Sequence, residues 1–242
     1  MGIVIRGIFD KCNIPKTVAV IPAAGSGTRM NVGFNKLFLS ICDKPVIAYT
    51  LDAFEDCDSI SEIIIVANEN EVEMIKEIVE DFNYQKVAKI VKGGATRQIS
   101  VNNGISATPE DTEIIVIHDA ARPLITNQEI NDTIQGAIEH GIACSGVYPT
   151  DTVKGIDNSF FSGTYDRDKL FLVRTPQTFK KEILLDVLKK SSEMNFEATD
   201  ESTLAELCGY KVVAVEGKST NIKLTNQSDY LLISSFLTDE ED

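Results

Sequence analysis

The chain has 242 residues, 43% of them hydrophobic and 25% charged, which is typical of a globular protein with one substantial core. Its 23 basic and 37 acidic residues give a net charge of −14, which argues against nonspecific binding to nucleic acid or to an anionic membrane. A phosphate site in such a protein has to be a local basic pocket.

The first predicted element is a buried strand over Val18–Ala23, which leads into a loop containing Gly25 and Gly27. Glycines allow backbone N–H groups to approach a phosphate chain closely, and Arg29 and Lys36 follow to compensate its charge. The alternative is a tight strand-to-helix turn with a solvated Arg29. The two cations together favour a triphosphate site.

Two better-known glycine loops do not match this stretch. A dinucleotide-binding loop needs a third glycine three residues after Gly27, and the chain has Met30 there. A P-loop ends in Gly-Lys-Ser or Gly-Lys-Thr, which is absent from this loop.

Beyond the loop, apolar β-branched strands alternate with amphipathic helices. Strands are predicted over Glu62–Ala67, Lys89–Val91, Glu113–His118 and Cys144–Tyr148, and helices over Pro45–Phe54, Asn70–Phe82, Arg97–Ile105 and Gln128–His140. This alternation predicts a single Rossmann-like α/β domain with a mostly parallel sheet and helices on both faces. Ligands of such sheets bind outside the carboxyl ends of the strands.

A second glycine loop, Gly93-Gly94, precedes the helix that begins near Thr96. A helix N-terminus offers unpaired N–H groups, Arg97 adds a planar donor, and Ser100 lies one turn further on. A simple Gly-Gly turn capped by Thr96 is an equally good interpretation of these residues alone.

The sequence HDAARP ends the strand Glu113–His118. Asp119 at a strand terminus over a triphosphate can hold Mg²⁺ or a substrate hydroxyl. The alternative is that Asp119 caps a turn and pairs with Arg122.

Residues 151–179 interrupt the alternation. A short strand over Asp151–Ile156 is followed by the polar, turn-rich Asp157–Lys169, and Thr175–Phe179 is typical of a plain turn. A segment like this seldom packs inside its own domain. We therefore expect a protruding β-arm over about residues 150–172 that pairs with another subunit, with a disordered loop as the alternative.

The C-terminal part predicts further alternation. Helices are expected near Glu182–Lys190 and Glu201–Cys208, strands over Val212–Glu216 and Asn221–Leu224, and a closing helix from about Gln227 to Leu237. Residues 17–242 then form the domain, preceded by an extension over residues 1–16 whose role stays open.

Five cysteines without a C-x-x-C pair are typical of free, mostly buried thiols in a reducing compartment, so a cytoplasmic location is expected. The two histidines exclude a His-rich metal site. No apolar run approaches the length of a membrane span.

Several of these motifs together resemble the 2-C-methyl-D-erythritol 4-phosphate cytidylyltransferases of non-mevalonate isoprenoid precursor synthesis. The motifs are PAAGSGTRM with NKLF, HDAARP, DT-x-K, the Asp-Arg pair at Asp166, TPQ-x-F and NIK-x-T, and they run from about residue 17 to the C-terminus. The resemblance implies transfer of CMP from CTP to methylerythritol phosphate, release of pyrophosphate, and a requirement for Mg²⁺.

The resemblance also implies roles for individual residues. The catalytic set would be Arg29, Lys36, Arg167 and Lys223. The nucleotide-binding set would be Ala23, Ala24, Gly25, Gly27, Gly94, Arg97, Ser100 and Ala120. The substrate-binding set would be Asp119, Arg122, Thr152, Arg167 and Lys223. Arg167 and Thr152 would reach the site from the neighbouring subunit of a homodimer.

The sequence departs from the family pattern in a few places. Thr150, Phe171 and Arg174 stand where Lys or Arg, Trp and Gln are frequent. Related sugar nucleotidyltransferases also have a second metal-binding Asp before the last strand, and this chain has none there. Mg²⁺ is therefore expected to rest mainly on the nucleotide phosphates, with Asp119 as the protein ligand.

Two other functions stay open at this point. A ribitol 5-phosphate cytidylyltransferase would share the glycine loop and the arm. A nucleotide-binding interaction protein without turnover would need the loops but not the cation pairs Arg29/Lys36 and Arg167/Lys223.

Overall fold

The computed structural model describes residues 15–25, 35–194 and 198–238. The predictions for the N-terminal residues 1–14, for Gly27 and for Arg29 lie outside these described residues. No helix in these three ranges has both the length and the apolar composition that a membrane crossing needs.

The first half of the chain alternates strands and helices as predicted. The elements are β1 (Thr17–Pro22), a 3₁₀ turn (Lys36–Phe38), β2 (Ser40–Ile41), β3 (Lys44–Pro45), α1 (Val46–Glu55), β4 (Glu62–Ala67), a 3₁₀ turn (Glu69–Glu71), α2 (Val72–Asp81), β5 (Val87–Lys92), α3 (Arg97–Ser106) and β6 (Ile114–Ile117).

The second half adds the arm and the C-terminal elements. They are α4 (Asn127–His140), β7 (Ile142–Val147), β8 (Lys154–Asp157), β9 (Phe160–Thr164), a 3₁₀ turn (Arg167–Lys169), β10 (Leu172–Lys180), α5 (Lys181–Glu193), α6 (Glu201–Leu207), β11 (Val213–Glu216) and α7 (Gln227–Thr238).

Seven of the described strands form one twisted sheet in the order β11-β7-β10-β6-β1-β4-β5. β1 lies between β4 and β6 and is parallel to both, with Val20 opposite Ile64 on one side and Ile117 on the other. Only β10 runs antiparallel to its neighbours among the described strands of this sheet. The mostly parallel sheet is therefore confirmed, and its carboxyl ends meet at one edge.

Each face of the sheet carries its own apolar core. Ala19 and Ile21 of β1 face a cluster that includes residues of α1, α2, α4 and α7. Val18 and Val20 face the opposite cluster, built with α3, α5 and α6. Because successive side chains of a strand point to opposite faces, β1 is apolar from Val18 to Pro22, as expected of a strand covered on both sides.

Two predictions about the C-terminal half are wrong. Thr175–Phe179 is not a plain turn, because it lies inside β10, where Gln177, Thr178 and Phe179 pair with β6 and β7. Asn221–Leu224 is not a strand, because its backbone N–H and C=O groups bond to side chains and loops instead of a neighbouring strand.

The predicted arm contains an antiparallel hairpin of β8 and β9. Its second strand, β9, lies within the segment that the sequence predicted to be polar and turn-rich. Every residue of β9 is exposed, and Phe160 and Phe161 are 78% and 75% exposed. In one chain, therefore, this hairpin is not buried by the domain that carries it.

The four cysteines within the described ranges carry free thiols, as predicted. Cys57 and Cys144 are buried, and burial raises the pKa of both thiols, that of Cys144 to about 12. Cys42 is exposed, so the expectation of mostly buried thiols holds for only part of the set.

Candidate active site

A cavity of about 510 Å³ opens at the carboxyl edge of the sheet, beyond the ends of β1, β4 and β6. Predicted site residues from four separate parts of the chain line it. They are Ala23, Ala24, Gly25, Lys36, Gly94, Arg97, Ser100, Asp119, Ala120 and Lys223. The cavity lies where the rule for parallel sheets places a ligand.

The two glycine loops pack directly against each other. A Cβ atom added to Gly93 would lie 2.5 Å from the Cβ of Ala24 and 2.9 Å from the hydroxyl oxygen of Ser100. Only glycine therefore permits this approach of the second loop to the first. The Ser100 hydroxyl accepts from the Gly94 N–H at 3.0 Å and donates to the carbonyl of Thr96 at 2.9 Å, so Ser100 also fixes the shape of its own loop.

Thr96 caps α3, as one of the alternative interpretations held, and its side chain accepts from the Ile99 N–H at 3.2 Å. The cap and a ligand-binding role are compatible. The helix N-terminus still points into the cavity with Arg97 beside it, and N–H groups in this position favour an anion.

Lys36 is held by the turn that follows the first loop. Asn35 caps this turn by accepting from the Leu37 N–H at 3.2 Å, and its amide donates to Glu71 at 2.9 Å. The Lys36 ammonium then donates to the carbonyl of Leu224 at 2.5 Å. A buried lysine bound to a backbone carbonyl brings a positive charge to the wall of the cavity.

Asp119 is surrounded by cations that come from three parts of the chain. Its carboxylate lies 2.9 Å from the Lys223 ammonium, 3.4 Å from the Arg122 guanidinium and 3.8 Å from that of Arg97. Burial by itself would raise the pKa of Asp119, but Lys223, Arg122 and Arg97 hold it well below its usual range. Asp119 is therefore ionised at neutral pH and keeps these cations together.

His118 helps to position Asp119 through the hydroxyl group of Thr175. Its Nε2 lies 3.3 Å from the carbonyl of Arg122, which can only accept, so we assign the proton to Nε2. Nδ1 then accepts from the Thr175 hydroxyl at 3.1 Å, and the same hydroxyl oxygen accepts from the Asp119 N–H at 3.1 Å. Complete burial lowers the pKa of His118 to about 3, so it is neutral.

Glu201 is a partner of the site that the sequence did not reveal. It is 2% exposed, and its Oε1 accepts from Arg97 at 2.6 Å. Burial raises the pKa of Glu201, although Arg97 opposes this effect. The sequence predicted Glu201 only as the first residue of a helix near Glu201–Cys208.

Some predicted residues do not line the cavity within one chain. Arg122 lies behind Asp119 and donates to the carbonyl of Asn221 at 2.9 Å. Arg167 and Thr152 belong to the arm, where Arg167 donates to the carbonyl of Thr150 at 2.6 Å and Thr152 is exposed. The structure of a single chain therefore does not bring the arm's residues to the cavity.

Several further polar residues that support the residues of the cavity were given no role of their own by the sequence. They are Asn35, Glu129, Thr175 and Asn221. All four are buried. Each bonds to a residue or loop far away in the sequence, and neither hydrophobic periodicity nor local spacing records such a pairing.

The sequence matches the family described as 2-C-methyl-D-erythritol 4-phosphate cytidylyltransferase over residues 17–239. The chain belongs to this family. A relative with that name from Caldanaerobacter subterraneus subsp. tengcongensis is 45% identical over 221 residues, covering 90% of this chain and 97% of the relative. A relative of the same name from Clostridium botulinum is 43% identical over 218 residues. The match covers 90% of this chain and 95% of the relative.

Solved structures with the same fold carry related titles. The 4-diphosphocytidyl-2C-methyl-D-erythritol synthase of Anaerococcus prevotii superposes with a TM-score of 0.83 at 30% identity, covering 93% of this chain and all of that one. The 2-C-methyl-D-erythritol 4-phosphate cytidylyltransferase of Thermus thermophilus superposes with a TM-score of 0.75 at 26% identity. The match covers 91% of this chain and 98% of that one. The chain thus has the fold of the cytidylyltransferase family along nearly its whole length.

A divalent cation is expected of a CTP-using nucleotidyltransferase, and the chemistry of this cavity fits one with few protein ligands. Asp119 is the carboxylate among the described residues that line it. In the same described part of the chain, no group of three or more His, Cys, Asp and Glu side chains is suited to holding a metal ion. Mg²⁺ often binds one or two carboxylates together with substrate phosphates, which suits a single Asp.

Proposed function

We propose that this chain transfers CMP from CTP to 2-C-methyl-D-erythritol 4-phosphate and releases pyrophosphate. The observation that carries the proposal is the convergence of two glycine loops with Lys36, Arg97 and Lys223 around one cavity of an acidic protein. The membership of the chain in the cytidylyltransferase family supports the choice of both substrates.

The reaction forms one P–O bond and breaks another. A phosphate oxygen of the methylerythritol phosphate attacks the α-phosphorus of CTP, and the bond between the α-phosphorus and the bridging oxygen breaks with its electron pair leaving on pyrophosphate. The attacking phosphate is already ionised near neutral pH, so no general base is needed. The difficulty is to bring two polyanions together and to stabilise the charge on a crowded phosphorus.

The nucleotide end of the site is assigned to the two glycine loops. Backbone N–H groups of the first loop at Ala24, Gly25 and Gly27 would bind the triphosphate. The Ala23 N–H instead donates to the Val66 carbonyl at 2.7 Å, so Ala23 would line the site without donating to the phosphates. Gly94, Arg97, Ser100 and Ala120 would contact the cytidine part. Arg29 and Lys36 would stabilise negative charge on the α-phosphate as the bond to pyrophosphate breaks.

The acceptor end of the site is assigned to Asp119, Arg122 and Lys223. Lys223 would bind the attacking phosphate. The ionised Asp119 carboxylate lies 2.9 Å from the Lys223 ammonium, so it would orient that ammonium, and it would also accept a hydrogen bond from a substrate hydroxyl. Asp119 would also be the chain's ligand to Mg²⁺. When bound, the ion would neutralise part of the triphosphate charge.

We further propose that the enzyme is a homodimer whose arm completes the acceptor end. The exposed aromatic side chains of the hairpin support an interface, because a large apolar patch on a monomer is unfavourable in water. In the dimer, Thr152 and Arg167 of one subunit would contact the substrate phosphate in the other. The free thiols support a reducing, cytoplasmic location.

Pyrophosphate release tests the proposed function. The protein is incubated with CTP and Mg²⁺ together with either methylerythritol phosphate or ribitol 5-phosphate, and pyrophosphate is measured over time. Turnover with the first acceptor and much slower turnover with the second is expected. Preference for ribitol 5-phosphate would overturn the substrate assignment, and CTP binding without any turnover would indicate a nucleotide-binding protein.

A further inference from the structure

Lys223 lies on a segment, residues 217–224, that has neither helix nor strand. It forms most of the connection between β11 and α7, and we call it the Lys223 segment. Its internal backbone bonds are few: the Asn221 N–H donates to Lys218 at 3.1 Å, and the Ile222 N–H to Thr220 at 2.6 Å. The position of Lys223 therefore depends on contacts that other parts of the chain make with this segment.

Arg174 of β10 makes the largest number of these contacts. Its Nη1 lies 3.0 Å from the carbonyl of Lys218, 3.1 Å from that of Ser219 and 3.0 Å from that of Asn221. Arg122 donates to the same Asn221 carbonyl at 2.9 Å. One guanidinium nitrogen thus faces three carbonyl groups of the turn that precedes Lys223.

Glu129 holds the same turn from the opposite side. Its Oε1 accepts from the Lys218 N–H at 3.0 Å and from the Asn221 side-chain amide at 3.3 Å. That amide also donates to the carbonyl of Thr175 at 3.0 Å. Glu129 therefore fixes the N–H side of the turn while Arg174 fixes its carbonyl side.

The end of the segment is attached to the cavity. The Leu224 N–H donates to the carbonyl of Ala121 at 2.8 Å, and its carbonyl accepts from Lys36 at 2.5 Å. Between this attachment and Asn221 lie only Ile222 and Lys223, so a shift of the turn moves the Lys223 ammonium directly. Its distance of 2.9 Å to Asp119 is set by both ends of the segment.

Holding the turn with the Arg174 guanidinium costs more free energy than closing a loop requires. Arg174 and Arg122 bring two positive groups to one carbonyl, and burial, with Arg122 beside it, lowers the pKa of Arg174. A neutral Gln donates to a carbonyl without this repulsion. A guanidinium is favoured where several acceptors have to be held in a fixed relative geometry.

We propose that Arg174 is a positioning residue for the acceptor phosphate, acting through Lys223. By holding the carbonyls of Lys218, Ser219 and Asn221, it places the Lys223 ammonium beside Asp119, where the phosphate binds. The proposal deepens the proposed function and rests on it for the identity of the phosphate. Arg174 itself does not line the cavity.

The first test needs no turnover. Hydrogen exchange is measured on the wild type, on Arg174→Ala, on Arg174→Gln and on Lys211→Ala, which removes an exposed positive charge elsewhere. In Arg174→Ala we expect exchange at the Lys218 and Leu224 amides to be about tenfold faster, with β1 unchanged. Arg174→Gln should be intermediate and Lys211→Ala should match the wild type. Unchanged exchange in Arg174→Ala would overturn the proposal.

The second test separates positioning from a general loss of structure. In Arg174→Ala the KM for the polyol phosphate should rise about tenfold while the KM for CTP changes less than about twofold. In a Lys223→Ala background the same substitution should have almost no further effect, because its action passes through Lys223. An equal effect in both backgrounds, or an equal rise in both KM values, would overturn the proposal.

The two tests also distinguish a failure of the proposed function from a failure of the proposed role of Arg174. If the wild type releases no pyrophosphate, the proposed function fails, and the exchange measurement still decides whether Arg174 holds the Lys223 segment. If the wild type turns over normally and Arg174→Ala changes neither exchange nor KM, the proposed function stands and the role of Arg174 is wrong.

Discussion

At the scale of single residues, the site is organised by cations that lie on different elements and face shared acceptors. The Asp119 carboxylate forms ion pairs with Lys223, Arg122 and Arg97, and the carbonyl of Leu224 accepts a hydrogen bond from Lys36. Cations held beside one another repel, so such a cluster is stable only with an anion among them. Asp119 supplies that anion in the free protein, and substrate phosphates would supply more.

Lys36→Ala tests the role of one cation. We expect kcat to fall about 100-fold or more, the scale measured for loss of one transition-state donor, because the developing charge on the α-phosphate loses its partner. The measurement is steady-state pyrophosphate release, with circular dichroism to check folding. Lys211→Ala is the matched control and should retain wild-type turnover. A folded Lys36→Ala variant with normal turnover would rule out the catalytic role of Lys36.

His118 predicts how stability depends on pH. Burial lowers its pKa in the folded state to about 3, whereas an unfolded histidine titrates near pH 6.5. Below pH 6.5 the unfolded state therefore binds a proton that the folded state excludes, and stability is lost as the pH falls. Between pH 6.5 and pH 5 this loss should be about 1.5 kcal/mol.

Urea unfolding at several pH values measures this effect. In His118→Gln, which cannot bind the proton, the free energy of unfolding should change by about 1.5 kcal/mol less over the same interval than in the wild type. Identical pH profiles for the wild type and His118→Gln would show that the imidazole does not remain neutral.

At the scale of elements, the sequence predicted the parallel core better than the antiparallel and irregular parts. Strands such as β1 and β4 are continuous apolar runs because both faces are buried, and such runs are visible in any sequence. β10 contains Thr175, Pro176 and Gln177, whose polar character and proline are typical of a turn. It is a strand because β6 and β7 flank it, and that information is not local.

The Lys223 segment illustrates the opposite error. Asn221–Leu224 has the apolar alternation of a short strand, but its hydrogen bonds go to Arg174, Arg122, Glu129 and Ala121 rather than to a neighbouring strand. Tertiary contacts outweigh a propensity that depends on four residues.

The hairpin of β8 and β9 predicts an assembly. Phe160→Asp replaces an aromatic side chain that is 78% exposed in one chain with a charged side chain. The monomer should therefore fold normally, whereas a dimer interface formed by this hairpin should be disrupted. We expect sedimentation to show a dimer for the wild type and a monomer for the variant, together with a higher KM for the polyol phosphate. Leu231→Asp, at an equally apolar exposed position on α7, should remain dimeric.

A Phe160→Asp variant that stays dimeric and fully active would contradict the arm's proposed role. A monomeric wild type with normal turnover would remove the need for Thr152 and Arg167 from a neighbouring subunit, and the acceptor end would then have to be complete within one chain.

At the scale of the whole molecule, an acidic protein binds a polyanion only where its cations converge. Mg²⁺ and CTP at about 100 times their dissociation constant should stabilise the fold by about 2.7 kcal/mol, which raises the melting temperature of a domain of this size by roughly 5–10 °C. Thermal unfolding with CTP, with GTP and without nucleotide measures this. GTP should produce a much smaller shift, and equal shifts would contradict a cytidine-specific second loop.

The sequence by itself determined the alternation of strands and helices, the two glycine loops and the strand-end position of Asp119. These features depend on residues close together in the chain, or on burial patterns that repeat along it. Only the tertiary structure decided which groups meet: Glu201 with Arg97, Thr175 with His118, and Arg174 with the turn before Lys223. Such pairs lie tens of residues apart, and a buried polar group takes the partner that the packing of the whole sheet brings to it, because leaving it unpaired costs free energy.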